Sequence, residues 1–553
     1  MSRFSKFKPN KKKETKQTFT LTDEYKTQIC SASYLGKKGY TIPKSLLLKE
    51  DEEYLRKELF VKPEVIGANF GNPSDEESAF PVFRENTNKF YLPRFYGINR
   101  YGLPSRSEIA QGADINVTFS KSLRDYQEKI IGVYTKYVNT PICSGSELVG
   151  SGGILQVPCG AGKTVMALKI ISNLKKKTLI IVHKEFLMNQ WIERIAEFLP
   201  GASVGKIQGQ TFDIEGKDIV IGMVQTLYDK EFHPDAFAQF GLTIIDEVHR
   251  IGSEQFSRTL FKTITPYMLG ISATVERKDK LTKVLYMFIG DMIYSEDRKN
   301  DDLVTVRAIN YVANDTEFNE VDRDFRGNPK YSTMIVKLCS YGPRSDFIIK
   351  VVGDLLNEDC DKQIMILCHN RSLLTYLYEG ISHRGLASVG YYVGGMKQVK
   401  LQETEEKQIV LATYAMAAEA LDIKTLSSLI MVTPKTDITQ SIGRILRVKH
   451  ANPIVVDIVD KHDIFQNQWA QRRRFYKKCN YRIRQIDSQN YKGMSLDWTT
   501  DQTWKRVFEP KNSEAESAAV EECSDDEGGK APDQAPIKGT DKGKCVIDIQ
   551  FDD

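Results

Sequence analysis

A chain of 553 residues with 41% hydrophobic and 27% charged side chains has the make-up of a globular protein with room for three or four domains. No apolar run approaches the ~18 residues that span a bilayer, and the polar start Met1-Ser2-Arg3-Phe4-Ser5-Lys6 has no apolar core of a signal peptide, so neither a membrane partner nor secretion is expected. The net charge of +4 hides an asymmetry: residues 511–553 hold 12 acidic and 5 basic side chains, a net of −7, which leaves +11 on residues 1–510 and points to a polyanion partner for the body.

Along the chain, residues 1–20 read as a basic disordered arm, with seven Lys/Arg against one Glu in the first 17. Residues 21–115 are aromatic and punctuated by Pro and Gly, as in Phe90-Tyr91-Leu92-Pro93-Arg94-Phe95-Tyr96-Gly97, and are expected to form a small β-containing accessory domain. From 116 to 290, short β-branched runs alternate with helical stretches: Gly153–Val157, Thr178–His183, Asp218–Val224, Leu242–Glu247 and Met268–Ser272. Such runs between helices predict a parallel sheet buried on both faces. The rhythm fades, so 291–345 reads as a connector. It resumes over 346–490 with Gln363–Cys368, Ser388–Val393, Gln408–Thr413, Ser428–Val432 and Ile454–Val459, a second α/β domain. Residues 491–553 read as a C-terminal extension, acidic and disordered from about 511, with a short apolar run from Val546 to Phe551.

The nine cysteines are scattered with no C-x-x-C pair, which gives a zinc site little support and fits a reducing compartment. The chemistry concentrates elsewhere. Val157-Pro158-Cys159-Gly160-Ala161-Gly162-Lys163-Thr164 follows a predicted strand and opens a helix. Glycines let backbone N–H groups turn around phosphate oxygens, and the helix N-terminus favours negative charge. Lys163 would reach the β- and γ-phosphates of ATP and Thr164 would ligate Mg²⁺. Taken alone, the segment could also be a Gly-rich turn with a solvated lysine. Leu242-Thr243-Ile244-Ile245-Asp246-Glu247-Val248-His249 is an apolar strand ending in two carboxylates. Asp246 could hold the Mg²⁺ water shell and Glu247 could act as base toward the attacking water.

Asp246-Glu247-Val248-His249 resembles the D-E-x-H box of superfamily-2 helicases, and Pro158–Lys163 resembles the phosphate loop of the XPB-type transcription and repair helicases, where a residue such as Val157 is usual. Ser272-Ala273-Thr274 matches the S-A-T box that couples the two domains. Gln440-Ser441-Ile442-Gly443-Arg444-Ile445-Leu446-Arg447 matches the Q-x-x-G-R-x-x-R box. Leu123-Arg124-Asp125-Tyr126-Gln127 is similar to the upstream element whose glutamine reads adenine, and Ala412-Thr413-Tyr414 through Asp422-Ile423 is similar to the fifth box, with Glu419-Ala420 where many members have Arg-Gly. Val275–Asp279 loosely resembles the R-E-D element. The segments around 80–97 resemble helicases of large cytoplasmic DNA viruses related to the poxvirus transcript-release DNA helicase.

The resemblance implies an α/β fold with two tandem RecA-like parallel-sheet domains. It implies an ATP site of Gln127, Pro158, Cys159, Gly160, Ala161, Gly162, Lys163, Thr164 and Asp422, with Thr164 and Asp246 on the metal. Catalysis falls to Lys163, Asp246, Glu247, Gln440, Arg444 and Arg447, and coupling to His249, Ser272 and Thr274. Thr226 and Thr413 would touch nucleic acid through phosphates, which carries little sequence information. The expected function is an ATP-dependent helicase or translocase, more readily on DNA than RNA, in viral transcription. It would be a monomeric motor in the host cytoplasm or virion, with the transcription machinery as a further partner. An RNA helicase and a non-catalytic nucleic-acid-binding scaffold are the alternatives. The run Arg472-Arg473-Arg474 with Lys477 and Lys478 reads equally as a nucleic-acid patch or a solvated helix face.

Overall fold

The computed structural model describes residues 21–63, 79–104, 106–140, 151–158, 160–250, 254–276, 281–296, 304–419, 423, 425–436, 438, 441–442, 453–493 and 502–510. The described residues divide into two compact units, the first holding those within 21–156 and 164–295, the second those within 157–163 and 296–510. The expected basic arm and acidic tail lie outside the described residues.

The first unit begins with β1 (Tyr34–Gly36), β2 (Gly39–Pro43), β3 (Phe60–Val61), β4 (Phe80–Pro81), β5 (Arg84–Glu85) and β6 (Lys89–Leu92). A four-stranded antiparallel sheet runs β1-β2-β6-β5, and β3 pairs with β4. Aromatic and aliphatic residues at alternate positions, Tyr40, Ile42, Phe90 and Leu92, are fully buried, as a sheet with one face on a core requires. This small domain is fused to the rest of the unit by buried contacts. Arg94 opens the helix Arg94–Tyr101 and is buried, with Nη1 donating to the carbonyls of Thr265 at 3.1 Å and Pro266 at 2.8 Å. Gly152 lies so close to Ile289 O that a Cβ would sit 2.1 Å from it and 2.9 Å from the Phe95 ring.

The larger sheet of this unit is formed by β7 (Gly152–Gln156), β8 (Thr178–Val182), β9 (Val204–Gln208), β10 (Thr211–Phe212), β11 (Ile219–Met223), β12 (Leu242–Asp246), β13 (Tyr267–Ser272) and β14 (Met292–Ser295). The order is β10-β9-β11-β8-β12-β13-β7-β14, parallel except for the β9–β10 hairpin. Every residue of β8 and β12 is buried, which explains their largely apolar sequence and requires cover on both faces.

The second unit holds β15 (Thr305–Tyr311), β16 (Gln363–Cys368), β17 (Val389–Tyr392), β18 (Ile409–Thr413), β19 (Leu426–Met431), β20 (Ile454–Asp460), β21 (Arg482–Asp487) and β22 (Lys505–Phe508). Their order is β17-β18-β16-β19-β20-β15-β21-β22, with only β22 antiparallel. Two tandem RecA-like domains and a small N-terminal β domain are therefore present, as expected.

Three expectations need correction. The segment 291–345 is more than a connector: it supplies β14 to the edge of the first sheet and β15 to the interior of the second. Its rhythm is interrupted by Arg307, whose guanidinium is buried by a two-pronged pair with Glu358 at 2.6 and 2.7 Å. The C-terminal extension likewise contributes β22 and the buried Trp504. The basic run is neither one patch nor one solvated face. Arg472 turns inward, bonding both oxygens of Asp457 at 2.8 and 2.9 Å, while Arg473, Arg474, Lys477 and Lys478 are exposed.

Candidate nucleotide and coupling site

Parallel strands bring their C-terminal ends to one edge of a sheet, where loops can gather functional groups. In the first large sheet, Ser272 of β13 is level with Gln156 of β7, and Asp246 of β12 is level with Ile271. The phosphate-loop segment leaves β7 directly after Gln156, and the helix Lys163–Leu174 starts at its end. Gly160 and Gly162 have φ of +85° and +84°, a backbone that a side chain would strain. Ala161 N donates to Pro158 O at 3.3 Å. Val157 is buried at the strand end, so the position is a packing site and does not need glycine. Thr164 is half-buried in the first turn of the helix; Cys159 lies outside the described residues.

Asp246 is the last residue of β12, and its carboxylate is fixed on both sides. Oδ1 accepts from Glu247 N at 2.9 Å, and Oδ2 accepts from Trp191 Nε1 at 3.0 Å. Trp191, on the helix Glu185–Phe198, is buried. Sequence reading passes over it because a tryptophan on an amphipathic helix reads as core, and only the fold shows its N–H aimed at this carboxylate. Glu247 adopts φ +53°, an uncommon conformation for a non-glycine residue that turns the chain sharply off the strand.

His249 joins two boxes. Its Nδ1 lies 3.2 Å from Glu247 Oε2 and 2.9 Å from Ser272 Oγ. Ser272 Oγ donates its proton to Thr274 O at 2.6 Å. The hydroxyl must then accept from the imidazole, which places the proton on Nδ1 and lets the same N–H face the Glu247 carboxylate. A second link crosses the same edge: Gln156 Oε1 accepts from Val275 N at 3.2 Å, tying the strand before the phosphate loop to the residue after Thr274. Gln156 belongs to none of the boxes, and no local pattern singles it out.

The other expected positions are more dispersed. Gln127 is buried, and its Oε1 accepts from Arg124 N at 3.0 Å to cap the helix Asp125–Asn139. Thr226 opens onto the loop after β9, its Oγ1 accepting from Gly209 N at 3.0 Å. Thr413 ends β18, level with Cys368 of β16. Next to Cys368, His369 bonds Thr433 Oγ1 through both its backbone N (3.0 Å) and Nδ1 (2.9 Å), and Tyr414 Oη donates to Thr433 O at 2.6 Å. Asp422, Gln440, Arg444 and Arg447 lie outside the described residues.

The family model for the res subunit of type III restriction enzymes matches residues 120–277, the span that contains the phosphate loop, Asp246–His249 and Ser272–Thr274. A protein of Acanthamoeba polyphaga mimivirus, provisionally named ATP-dependent RNA helicase L396, is 34% identical over 85% of this chain and 90% of its own length. The African swine fever virus protein QP509L (Tick/Malawi isolate), also provisionally named an ATP-dependent RNA helicase, is 28% identical over 60% of this chain and 69% of its own. The DNA 3'-5' translocase XPB2 of Sulfurisphaera tokodaii is 30% identical over 36% of this chain and 43% of its own.

Proposed function

The chain belongs to the superfamily-2 helicases, ATP-hydrolysing enzymes, and on that premise we propose that it is a Mg²⁺-dependent motor that translocates on or remodels DNA during viral transcription, at elongation, termination or transcript release. The observation that carries the motor reading is the contact path Asp246–Glu247–His249–Ser272–Thr274, which joins the carboxylates at the end of β12 to the segment after β13.

Hard oxygen donors on Thr164 and Asp246 suit Mg²⁺, and Asp246 is held in a fixed orientation by Trp191 and Glu247 N. When bound, the metal would neutralise charge on the phosphates. Lys163 and the backbone N–H groups of 160–163 grip the phosphates, and the positive φ of both glycines supports that turn. Glu247 orients and deprotonates the attacking water. Gln440, Arg444 and Arg447 complete the charge balance on the transferred group. Because the His249 imidazole bonds Ser272 and lies against the Glu247 carboxylate, a shift in the segment 272–274 moves the ring beside the base, and this is the coupling step. Thr226 and Thr413 contact the sugar–phosphate backbone. The scattered spacing of the nine cysteines, with no C-x-x-C pair, supports a reducing location, the host cytoplasm or the virion. The motor works as a monomer, with the transcription machinery as a partner.

An RNA substrate is the second reading, favoured by the provisional names of the mimivirus and African swine fever virus relatives. Steady-state ATPase measured with duplex DNA, single-stranded DNA and RNA separates the two. Stimulation by DNA above RNA is expected; stimulation by RNA alone reassigns the substrate, and ATPase without any response to nucleic acid removes the motor reading.

A further inference from the structure

Between β15 and the helix Tyr331–Ser340 of the second unit, the chain makes a tight turn, Asp322-Arg323-Asp324-Phe325-Arg326-Gly327-Asn328-Pro329-Lys330. Phe325 at its tip is 92% exposed, far more than any other large apolar side chain among the described residues. Single exposed apolar residues are ordinary on a protein surface and need no explanation by themselves. This one differs because the turn that carries it is clamped from within. Asp324 N donates to Asn328 O at 2.8 Å, Gly327 N to Asp324 O at 2.9 Å, and Lys330 N to Asp322 O at 2.8 Å. The Asp324 carboxylate accepts from Arg326 N and Asn328 N, both at 2.9 Å, and these N–H groups hold its pKa below the usual carboxylate range. Arg323 Nη1 closes the turn on Gly327 O at 2.9 Å, and Gly327 sits at φ +82°. The stem is anchored by Val321, Tyr331 and Met334 in the core of the unit.

The charges around the ring are sorted. Asp324 is turned in toward the backbone, and Asp322 faces Lys337 at 3.8 Å. Arg323, Arg326 and Lys330 are exposed, with the Arg326 guanidinium 5.0 Å from the centre of the Phe325 ring. A rigidly presented aromatic face flanked by cations is the chemistry that holds a single strand: the ring stacks on a base and the cations meet the phosphates on either side. We infer that Phe325 is a stacking platform for an unpaired base of the nucleic acid on which this helicase acts, with Arg323 and Arg326 gripping the adjacent phosphates. Stacking is indifferent to sequence, as a motor requires, and an aromatic at the tip of a stiff turn can hold a base out of its duplex.

The inference rests on the motor reading above, and one set of measurements separates their failures. The full chain, Phe325→Ala and Phe325→Trp are titrated with fluorescein-labelled oligo(dT), oligo(U) and a blunt DNA duplex, beside thermal unfolding of each variant. Phe325→Ala should melt like the parent, bind the preferred single strand about tenfold more weakly and bind the duplex unchanged. Phe325→Trp should restore single-strand affinity and add a tryptophan emission that is quenched on binding. The dT and U arms tell which strand is stacked. Single-strand affinity equal to the parent in Phe325→Ala, or an emission in Phe325→Trp indifferent to the strand, overturns the inference alone. A parent that binds neither oligonucleotide, with ATPase unmoved by nucleic acid, overturns both this inference and the motor reading.

Discussion

At the scale of single residues, the site is an arrangement of hydrogen bonds that fix carboxylates. Glu247→Gln keeps the shape of the side chain and removes the proposed base, so ATP should still bind while turnover falls by about 10²–10⁴. Lys163→Ala, by contrast, should weaken both binding and turnover. Fluorescent-nucleotide binding beside steady-state ATPase reads the two apart, and near-normal turnover in Glu247→Gln would put the base elsewhere. Trp191 supplies a sharper case. Trp191→Phe keeps most of the buried volume but removes the N–H that holds Asp246 Oδ2 at 3.0 Å. Groups that orient a metal-binding carboxylate typically contribute about 10–100-fold in metal affinity or activity. A Mg²⁺ titration of ATPase should therefore shift to higher metal in Trp191→Phe, with little change at saturation. An unshifted titration would mean that the indole only packs.

At the scale of elements, buried ion pairs set where strands and helices meet. Arg472, on the helix Asp463–Lys478, meets Asp457 of β20 with both side chains 1% exposed, and Tyr476 Oη adds a third bond to the same carboxylate at 3.0 Å. The neighbouring Asp457 carboxylate keeps the Arg472 guanidinium charged against the cost of its burial. Removing one partner strands a charge in the interior, which costs about 3–5 kcal/mol. Arg472→Ala should destabilise the second unit by that amount in urea unfolding, whereas the exposed Arg473→Ala should stay within about 0.5 kcal/mol. Equal effects of the two would contradict the division of the basic run into one structural and several surface cations.

At the scale of the whole molecule, charge is the feature that composition already exposes. Residues 1–510 carry +11 and residues 511–553 carry −7. Binding to nucleic acid should be nearly sequence-blind and should weaken steeply with salt, because phosphate contacts release counterions. A tethered polyanion competes with nucleic acid for the same basic surface. Truncation after Pro510 should leave basal ATPase unchanged and give equal or tighter binding at low salt. Loss of basal ATPase in the truncated chain would show that the tail supports the fold.

The parallel strands of both sheets could be read from the amino-acid order alone. Apolar-rich runs such as Thr178–Val182 and Ile454–Val459 are legible because a strand buried on both faces admits apolar residues along most of its length, and β8, β12 and β20 are buried throughout. The segment 157–164 and Asp246-Glu247 stand out in the sequence because the chemistry proposed for them needs particular residues at fixed spacing. Tertiary structure alone decided what depends on partners distant in the chain. Strand β15 is interior although it carries Arg307, because Glu358, 51 residues on, pairs with that arginine. Trp191 and Gln156 reach the site only because Asp246 and Val275 arrive there on other elements. Arg472 and Arg473 are adjacent and chemically identical, yet one is core and one is surface, since helical geometry points only the first at Asp457. A residue's type states what it can bond; which bond it makes is fixed by what the fold brings within about 3 Å.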